Sequence, residues 1–134
     1  MRFLDRLQPL GLAILRLVLG AIMIAHGYPK VFGGELHHLM ETVRNLHLPG
    51  WLAYLAAAAE FGGGILVIVG FLTRFAALAI CIDMLVAIFG VHWKNGFVGQ
   101  GNYQFPLSLA AIALSLMFSG PGAISIDGMR GKGR

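Results

Sequence analysis

Four long apolar stretches, separated by shorter polar segments, dominate the pattern of this chain. They cover residues 9–27, 50–70, 74–92 and 105–120. A helix needs about 20 mostly apolar residues to cross the hydrocarbon core of a bilayer, and each stretch is near that length. The pattern therefore predicts an all-α protein, a membrane bundle of four transmembrane helices that forms one domain over residues 1–134.

The connections between the stretches predict the topology. Only residues 71–74 join the second and third stretches, so these two helices must be antiparallel neighbours. An even number of spans puts both chain ends on the same side as this connection. That side collects most of the basic residues, namely Arg2, Arg6, Arg74, Arg130, Lys132 and Arg134, against Lys30, Arg44 and Lys94 opposite. Because basic residues stay in the cytoplasm, we expect both termini there.

The first outer loop, residues 28–49, has an amphipathic pattern of its own. Apolar residues recur at three-and-four spacing from Leu36 to Leu46, and the other face is polar. This spacing predicts a short interfacial helix, which either lies on the membrane surface or caps the bundle. The second outer loop contains Trp93 and Tyr103, which suit the membrane interface.

Composition agrees with a membrane protein. The 134 residues are 57% hydrophobic and 12% charged, and the mean hydropathy is +0.77. The net charge of +4 comes from scattered basic residues that are not interleaved with aromatic ones, so no nucleic-acid partner is expected. Cys81 is the one cysteine, which excludes an intramolecular disulfide and a CxxC redox pair.

Three charged residues lie inside the predicted spans: Arg16, Glu60 and Asp83. Each costs about 2.5 to 3.5 kcal/mol at the centre of a membrane helix, and more if it has no partner. We therefore expect them to face one another, with Arg16 in an ion pair with Glu60 or Asp83. Counting along the spans places Arg16 and Asp83 in the cytoplasmic half and Glu60 at the midplane. The pair either only fixes helix register, or Glu60 exchanges a proton with a bound quinone or substrate.

The small residues around these charges predict which helix faces meet. They recur every three or four residues, a spacing that lets helix backbones approach closely in lipid. We expect these stripes to meet at the bundle axis. Along the four spans they are Ala13, Arg16, Gly20 and Gly27; Ala53, Ala56, Glu60, Gly63 and Gly64; Ala76, Ala79, Asp83, Ala87 and Gly90; and Ser108, Ala111, Ser115 and Ser119.

Other polar residues cluster near the outer ends of the spans. His26 and His92 fall at similar depth, but two histidines are weak grounds for haem, and His37 with Glu41 supplies too few ligands for a metal ion. Neither haem nor metal is expected. We instead predict a buried polar pocket for a ligand such as a quinone, lined by Arg16, His26, Lys30, Glu60, Asp83, His92 and Gln104.

Several short motifs occur in a specific order along nearly the whole chain. They are Arg16 to Gly20, His26-Gly27-x-x-Lys30, Glu60-Phe61-Gly62-Gly63, Gly70-Phe71-Leu72-Thr73-Arg74 and Gly120-Pro121-Gly122-x-x-Ser125-x-Asp127. Together they resemble the DoxX family of small bacterial membrane proteins. The resemblance implies a four-helix protein of the bacterial inner membrane. It also implies a link to membrane oxidoreductase complexes, because the family takes its name from a subunit of a thiosulfate:quinone oxidoreductase.

Two functions follow as hypotheses. The first is a quinone- or lipid-binding subunit of a membrane oxidoreductase complex, in which a soluble or membrane redox partner supplies the redox chemistry. The second is a non-catalytic protein that binds membrane lipid or acts as a scaffold, with a homo-oligomer left open. A small transporter is disfavoured, because four short helices leave little room for alternating access. The residues assign no catalytic group and leave open whether the chain is an enzyme.

Overall fold

The computed structural model describes residues 2–92 and 104–129, apart from the side chains of residues 91 and 92. These residues form helices and no strand, which confirms the all-α class. The helices are α1 (Arg2–Asp5), α2 (Gln8–Phe32), α3 (Leu36–Asn45), α4 (Leu52–Val69), α5 (Thr73–Ala87, continued by a π-helical turn over Ile88–His92), α6 (Gln104–Ser119) and α7 (Ile126–Met129).

Every predicted span corresponds to an observed helix. The helices α2, α4 and α5 with its π-helical turn are long and apolar enough to cross a membrane, and α6 is a shorter apolar helix. Only 33–39% of the residues in the three long spans are buried within the protein. Their outward faces expose many large apolar side chains. Such a surface is stable only in contact with lipid, so the membrane bundle is confirmed.

The first membrane helix is longer than the sequence pattern predicts. The apolar stretch ends at Gly27, whereas α2 continues to Phe32 and includes Pro29. The carbonyl oxygen of Pro29 accepts hydrogen bonds from the backbone N–H groups of Gly33 (2.8 Å) and Glu35 (3.2 Å), which closes the helix end. Because of this extension, Lys30 lies one turn after His26 on the same helix face.

Helices α2 and α4 form the most extensive helix pair. Their backbones approach closely where Gly20 faces Gly64: a Cβ added at Gly64 would lie 2.9 Å from the carbonyl oxygen of Gly20. Farther along, a Cβ added at Gly27 would lie 2.6 Å from the backbone nitrogen of Phe61. The predicted stripes on these two spans are buried, with Ala56 half-buried.

The predicted stripes on the other two spans are only partly right. On α5 the most buried positions are Thr73, Ala77 and Ile80. Asp83 lies half-buried at the edge of that face, and Gly90 is exposed. On α6 the predicted face is wrong, because all four of its members are exposed and the buried residues are Pro106, Leu109, Ala110, Ala113 and Leu116. Apolar packing therefore determines which face of α6 is buried in the bundle.

Serine is a weak guide to the buried face of a membrane helix. The hydroxyl of Ser108 donates to the carbonyl oxygen of Gln104 in its own helix at 3.0 Å. Since the helix satisfies the hydroxyl, the side chain does not need to face the bundle interior.

After α6 the chain folds back onto the turn between α4 and α5. The backbone N–H of Asp127 donates to the carbonyl oxygen of Gly70 at 2.9 Å. The Asp127 carboxylate accepts hydrogen bonds from the N–H groups of Leu72 (3.2 Å) and Thr73 (3.1 Å), the first residues of α5. Leu72 has a left-handed backbone with φ +51°, which costs about 1–2 kcal/mol in an L-residue. Asp127 therefore caps α5 and stabilises a strained turn.

Arg16 belongs to the same assembly, which we call the Arg16 cluster (Arg16, Gly70, Thr73, Ser125 and Asp127). The buried guanidinium donates to the carbonyl oxygens of Ile124, in the C-terminal segment, and Val67 (3.5 Å). A second arginine, Arg74, donates to the carbonyl oxygens of Met117 and Phe118 at the end of α6. Carbonyl groups at helix ends and in the C-terminal segment thus accept hydrogen bonds from both guanidinium groups, although the buried Nε of Arg16 has no partner within the described residues.

The predicted ion pair of Arg16 with Glu60 or Asp83 is therefore wrong. Val67, which Arg16 contacts, lies seven residues after Glu60 on α4. At 1.5 Å per residue this separates Arg16 from Glu60 by about 10 Å along the bundle. The nearby opposite charge at Arg16 is Asp127, which the sequence pattern places outside the spans.

Replacing Asp127 with alanine tests the role of the C-terminal segment. The change removes both side-chain hydrogen bonds to the start of α5 and the negative charge near Arg16, so we expect a loss of about 1–2 kcal/mol of stability. Thermal unfolding of the purified protein in detergent measures the effect. Asp5→Ala, at an exposed position in α1, is the matched control and should leave the midpoint unchanged. Equal midpoints for the two variants would contradict the capping role.

Replacing Gly27 with alanine tests the close approach of α2 and α4. The added methyl group meets the backbone of Phe61, so we expect the helices to separate and the midpoint of thermal unfolding to fall by several degrees. Gly11→Ala is the matched control, because a Cβ there meets nothing within 4 Å. That variant should be neutral or slightly stabilised, since alanine favours helix more than glycine does. An equal change in the unfolding midpoint of both variants would show that the contact of Gly27 with Phe61 does not contribute to stability.

Candidate functional site

Lys30 and Glu60 form an ion pair in the half of the bundle opposite the Arg16 cluster. Lys30 Nζ lies 2.5 Å from Glu60 Oε1. The Glu60 side chain is 4% exposed and that of Lys30 is 24% exposed. Glu60 is buried because it lies in the small-residue face of α4 that packs on α2, and Lys30 reaches it from the last turn of α2. The partner that Glu60 requires in lipid is therefore Lys30.

Asp83 of α5 lies beside this ion pair. Its carboxyl group interacts with that of Glu60 and with the ammonium group of Lys30. Asp83 thus lies beside Glu60 and not in the Arg16 cluster, although the sequence pattern grouped it with Arg16 in the cytoplasmic half. Asp83 Oδ2 is buried and has no hydrogen-bond partner within the described ranges. Two carboxyl groups and one ammonium group therefore lie near one another on the wall of one cavity, and side chains of these types take part in general acid–base chemistry.

These three groups line a cavity of about 620 Å³ among α2, α3, α4, α5 and α6. A volume of this size and a mostly apolar wall with a few polar groups are typical of sites for small organic ligands. The polar groups in its lining belong to His26, Lys30, Thr42, Glu60 and Asp83, and the apolar ones include Met23, Leu39, Val43, Met84 and Leu109.

Helix α3 covers this cavity. Val43 is buried, Leu39 and Leu46 are half-buried, and all three line the cavity. The opposite face is exposed and carries His37, whose Nε2 lies 3.2 Å from Glu41 Oε1. Of the two alternatives that the amphipathic pattern left open, the structure has the one in which the helix caps the bundle.

His26 adds an imidazole ring to the cavity. Its Nδ1 lies 2.9 Å from the carbonyl oxygen of Ile22. When Nδ1 carries the proton for this bond, Nε2 becomes an acceptor. The ring centroid is 5.6 Å from that of Phe105 on α6, which also lines the cavity.

The structure brings together four of the seven residues predicted to line a polar pocket: His26, Lys30, Glu60 and Asp83. Arg16 belongs to a different cluster. The side chain of His92 lies outside the described residues, and Gln104, at the exposed start of α6, does not line the cavity.

Sequence reasoning missed the contribution of α3 to the site. Thr42, Val43 and Leu46 line the cavity, and the amphipathic spacing around them was the available signal. That spacing shows which face of the helix is apolar, but not which part of the bundle this face covers.

Comparison with known proteins agrees with this architecture. The DoxX family model matches residues 11–93, which include Arg16, Lys30, Glu60 and Asp83. The chain is 31% identical to the putative oxidoreductase CatD of Bacillus subtilis, covering 93% of this chain and 90% of that one. It is also 31% identical to the inner membrane protein YqjF of Escherichia coli, over 96% and 98% of the two chains.

A third relative is similar over most of its length. This is the inner membrane protein YphA of Escherichia coli, at 32% identity over 90% of each chain. No solved structure matches the chain. The family match covers more than half of the sequence and the relatives align almost end to end, so this chain belongs to the DoxX family of membrane proteins.

Proposed function

We propose that this protein binds a quinone-like lipid in the cavity around Lys30, Glu60 and Asp83, as the membrane subunit of an oxidoreductase complex. One observation carries the proposal: two carboxyl groups and an ammonium group line an otherwise largely apolar cavity at membrane depth. A quinone ring is apolar on its faces and has two oxygens that accept hydrogen bonds. A quinone therefore matches both the apolar wall and the polar groups of this cavity.

The cavity residues suit the protons of quinone chemistry. Reduction of a quinone to a quinol takes up two electrons and two protons. The ammonium group of Lys30 is placed to donate a hydrogen bond to a ring oxygen, and Glu60 and Asp83 are placed to transfer protons. His26 adds an imidazole ring to the same wall.

The electrons require a partner protein. The sequence contains one cysteine and none of the nucleotide-binding glycine loops that hold a redox cofactor. A relative that aligns over 90% of its length is named a putative oxidoreductase, which supports a role in a redox complex. The rival function is lipid binding without redox chemistry, favoured by the mutual pairing of Lys30 with Glu60.

Replacing Glu60 with glutamine tests quinone binding. The amide keeps the shape of the side chain but loses its charge and its salt bridge to Lys30. Loss of a charged hydrogen bond of about 1.5–3 kcal/mol corresponds to about 10- to 100-fold weaker binding. The measurement is titration of the purified protein in lipid nanodiscs with a short-chain benzoquinone. Glu41→Gln, on the exposed face of α3, is the matched control and should bind like the wild type.

Two results would contradict this proposal. Unchanged quinone affinity in a folded Glu60→Gln variant would remove Glu60 from the site. No binding by the wild-type protein, together with a co-purified phospholipid in native mass spectrometry, would favour the non-catalytic lipid-binding function instead.

We also propose that the protein lies in the bacterial inner membrane with both termini in the cytoplasm. The segment around Asp127 packs on the turn between α4 and α5, so this segment lies at the same end of the bundle as Arg74. Two relatives are named inner membrane proteins. The basic residues at this end favour the cytoplasmic side, which directs the ligand cavity toward the outer half of the membrane.

Reporter fusions test this orientation. Green fluorescent protein at the C-terminus should fluoresce in Escherichia coli, and alkaline phosphatase at the same position should be inactive, because the first folds in the cytoplasm and the second requires the periplasm. Fusions after Asn45, in the loop that follows α3, should give the opposite pair of signals. An active phosphatase at the C-terminus would reverse the proposed orientation.

A further inference from the structure

A second cavity, of about 610 Å³, lies between α4 and α5 on the lipid-facing side of the bundle. We call it the α4–α5 groove. Exposed side chains such as Leu55, Ala58 and Ile82 line it, so it opens toward the membrane. Its lining on α4 extends from Leu52 to Leu66, which is about 21 Å of helix. The groove therefore follows most of the roughly 30 Å hydrocarbon core.

The groove meets the polar cavity at Asp83. Both cavities are lined by the same five residues, which are Val43, Leu46, Ala56, Asp83 and Val86. Among the described residues that line the groove, Asp83 is the one with an ionisable side chain. One of its carboxyl oxygens, Oδ2, is buried without a hydrogen-bond partner in the part of the chain that the structure describes. A polar group at this junction is thus positioned to bind a ligand that extends into both spaces.

Helix α3 closes the same junction from the outer side. Val43 and Leu46 contribute to both cavities, and Leu46 also packs close to Gly90 in the π-helical turn. The junction is therefore covered by apolar residues on the water-facing side and open on the lipid-facing side. This arrangement favours entry of a ligand from the bilayer.

We propose that the α4–α5 groove holds the hydrocarbon tail of the ligand whose polar ring lies in the cavity, and that this ligand enters sideways from the membrane past Asp83. The inference rests on the proposed function and specifies its ligand class, a lipid with one long tail. The α4–α5 groove shares lining residues with the polar cavity and has an almost wholly apolar wall, so it fits one prenyl or alkyl chain of a ligand whose polar ring lies in the cavity. The tail contributes affinity through apolar contact along α4 and α5.

A tryptophan in the groove separates tail binding from ring binding. Ala58→Trp fills part of the groove from an exposed position, so it does not disturb helix packing. Ala58 does not line the polar cavity. Ala111→Trp is the matched control, because Ala111 is an equally exposed alanine of α6 that lines neither cavity. Ala79→Trp is a second groove variant, on the α5 wall.

Two benzoquinones with the same ring serve as probes, one without a tail and one with a decyl chain. Each is titrated into nanodiscs of fixed lipid composition that contain one of the variants. We expect the groove variants to bind the decyl probe at least tenfold more weakly than Ala111→Trp does, and to bind the tail-less probe with wild-type affinity.

Other results would overturn the inference in distinguishable ways. Unchanged affinity for the decyl probe in both groove variants would show that the tail lies elsewhere, while the ring site stands. An equal loss of affinity for both probes would show that the substitutions act on the ring site and not on a tail site. If the wild-type protein bound neither the tail-less probe nor the decyl probe, the proposed function and this inference would both be removed.

Discussion

The energetic cost of charge in hydrocarbon organises this protein. A lone arginine or carboxylate at membrane depth costs several kcal/mol, so each must find partners inside the bundle. The chain does this in two separate layers. Arg16 is solvated by backbone carbonyl groups near the end where α4 and α5 connect, and Glu60 and Asp83 share Lys30 in the other half. The two layers are about 10 Å apart along α4. The layer around Arg16 can therefore stabilise the fold, while the layer around Lys30 can bind a ligand.

The motifs that resemble the DoxX family divide between these layers. Arg16, the turn after α4 and the segment that ends at Asp127 meet around the start of α5. The motif around Lys30 meets the motif around Glu60, because Gly27 packs on Phe61 and thereby brings the two charges together. The charged groups in the first layer bond chiefly to backbone and line neither cavity described above, whereas those in the second face a cavity. This difference, and not the charges themselves, distinguishes a structural cluster from a candidate site.

Hydropathy predicted the helices well, because about 20 apolar residues in a row have few alternative structures. It did not predict which charged side chains pair with one another. The end of α2 was placed too early because Tyr28, Pro29 and Lys30 are typical of a loop, and without that extra turn Lys30 could not be matched to Glu60. Asp127 was missed as the charge near Arg16 because it follows the last apolar stretch, and only the folded chain returns it to the bundle. Long-range contacts of this kind leave no periodic signal in the sequence.

The position of Ile124 and Asp127 has a consequence for how the protein is made. During synthesis α2 is made before the other membrane helices, while the carbonyl and carboxylate groups of Ile124 and Asp127 that surround its arginine are made only after α6. Until then Arg16 has incomplete solvation, and the nascent bundle should remain open to rearrangement, to chaperones or to proteases that survey the membrane. Docking of the segment that contains Ile124 and Asp127 would then complete the bundle, so that chains truncated before this segment would be less compact and shorter-lived.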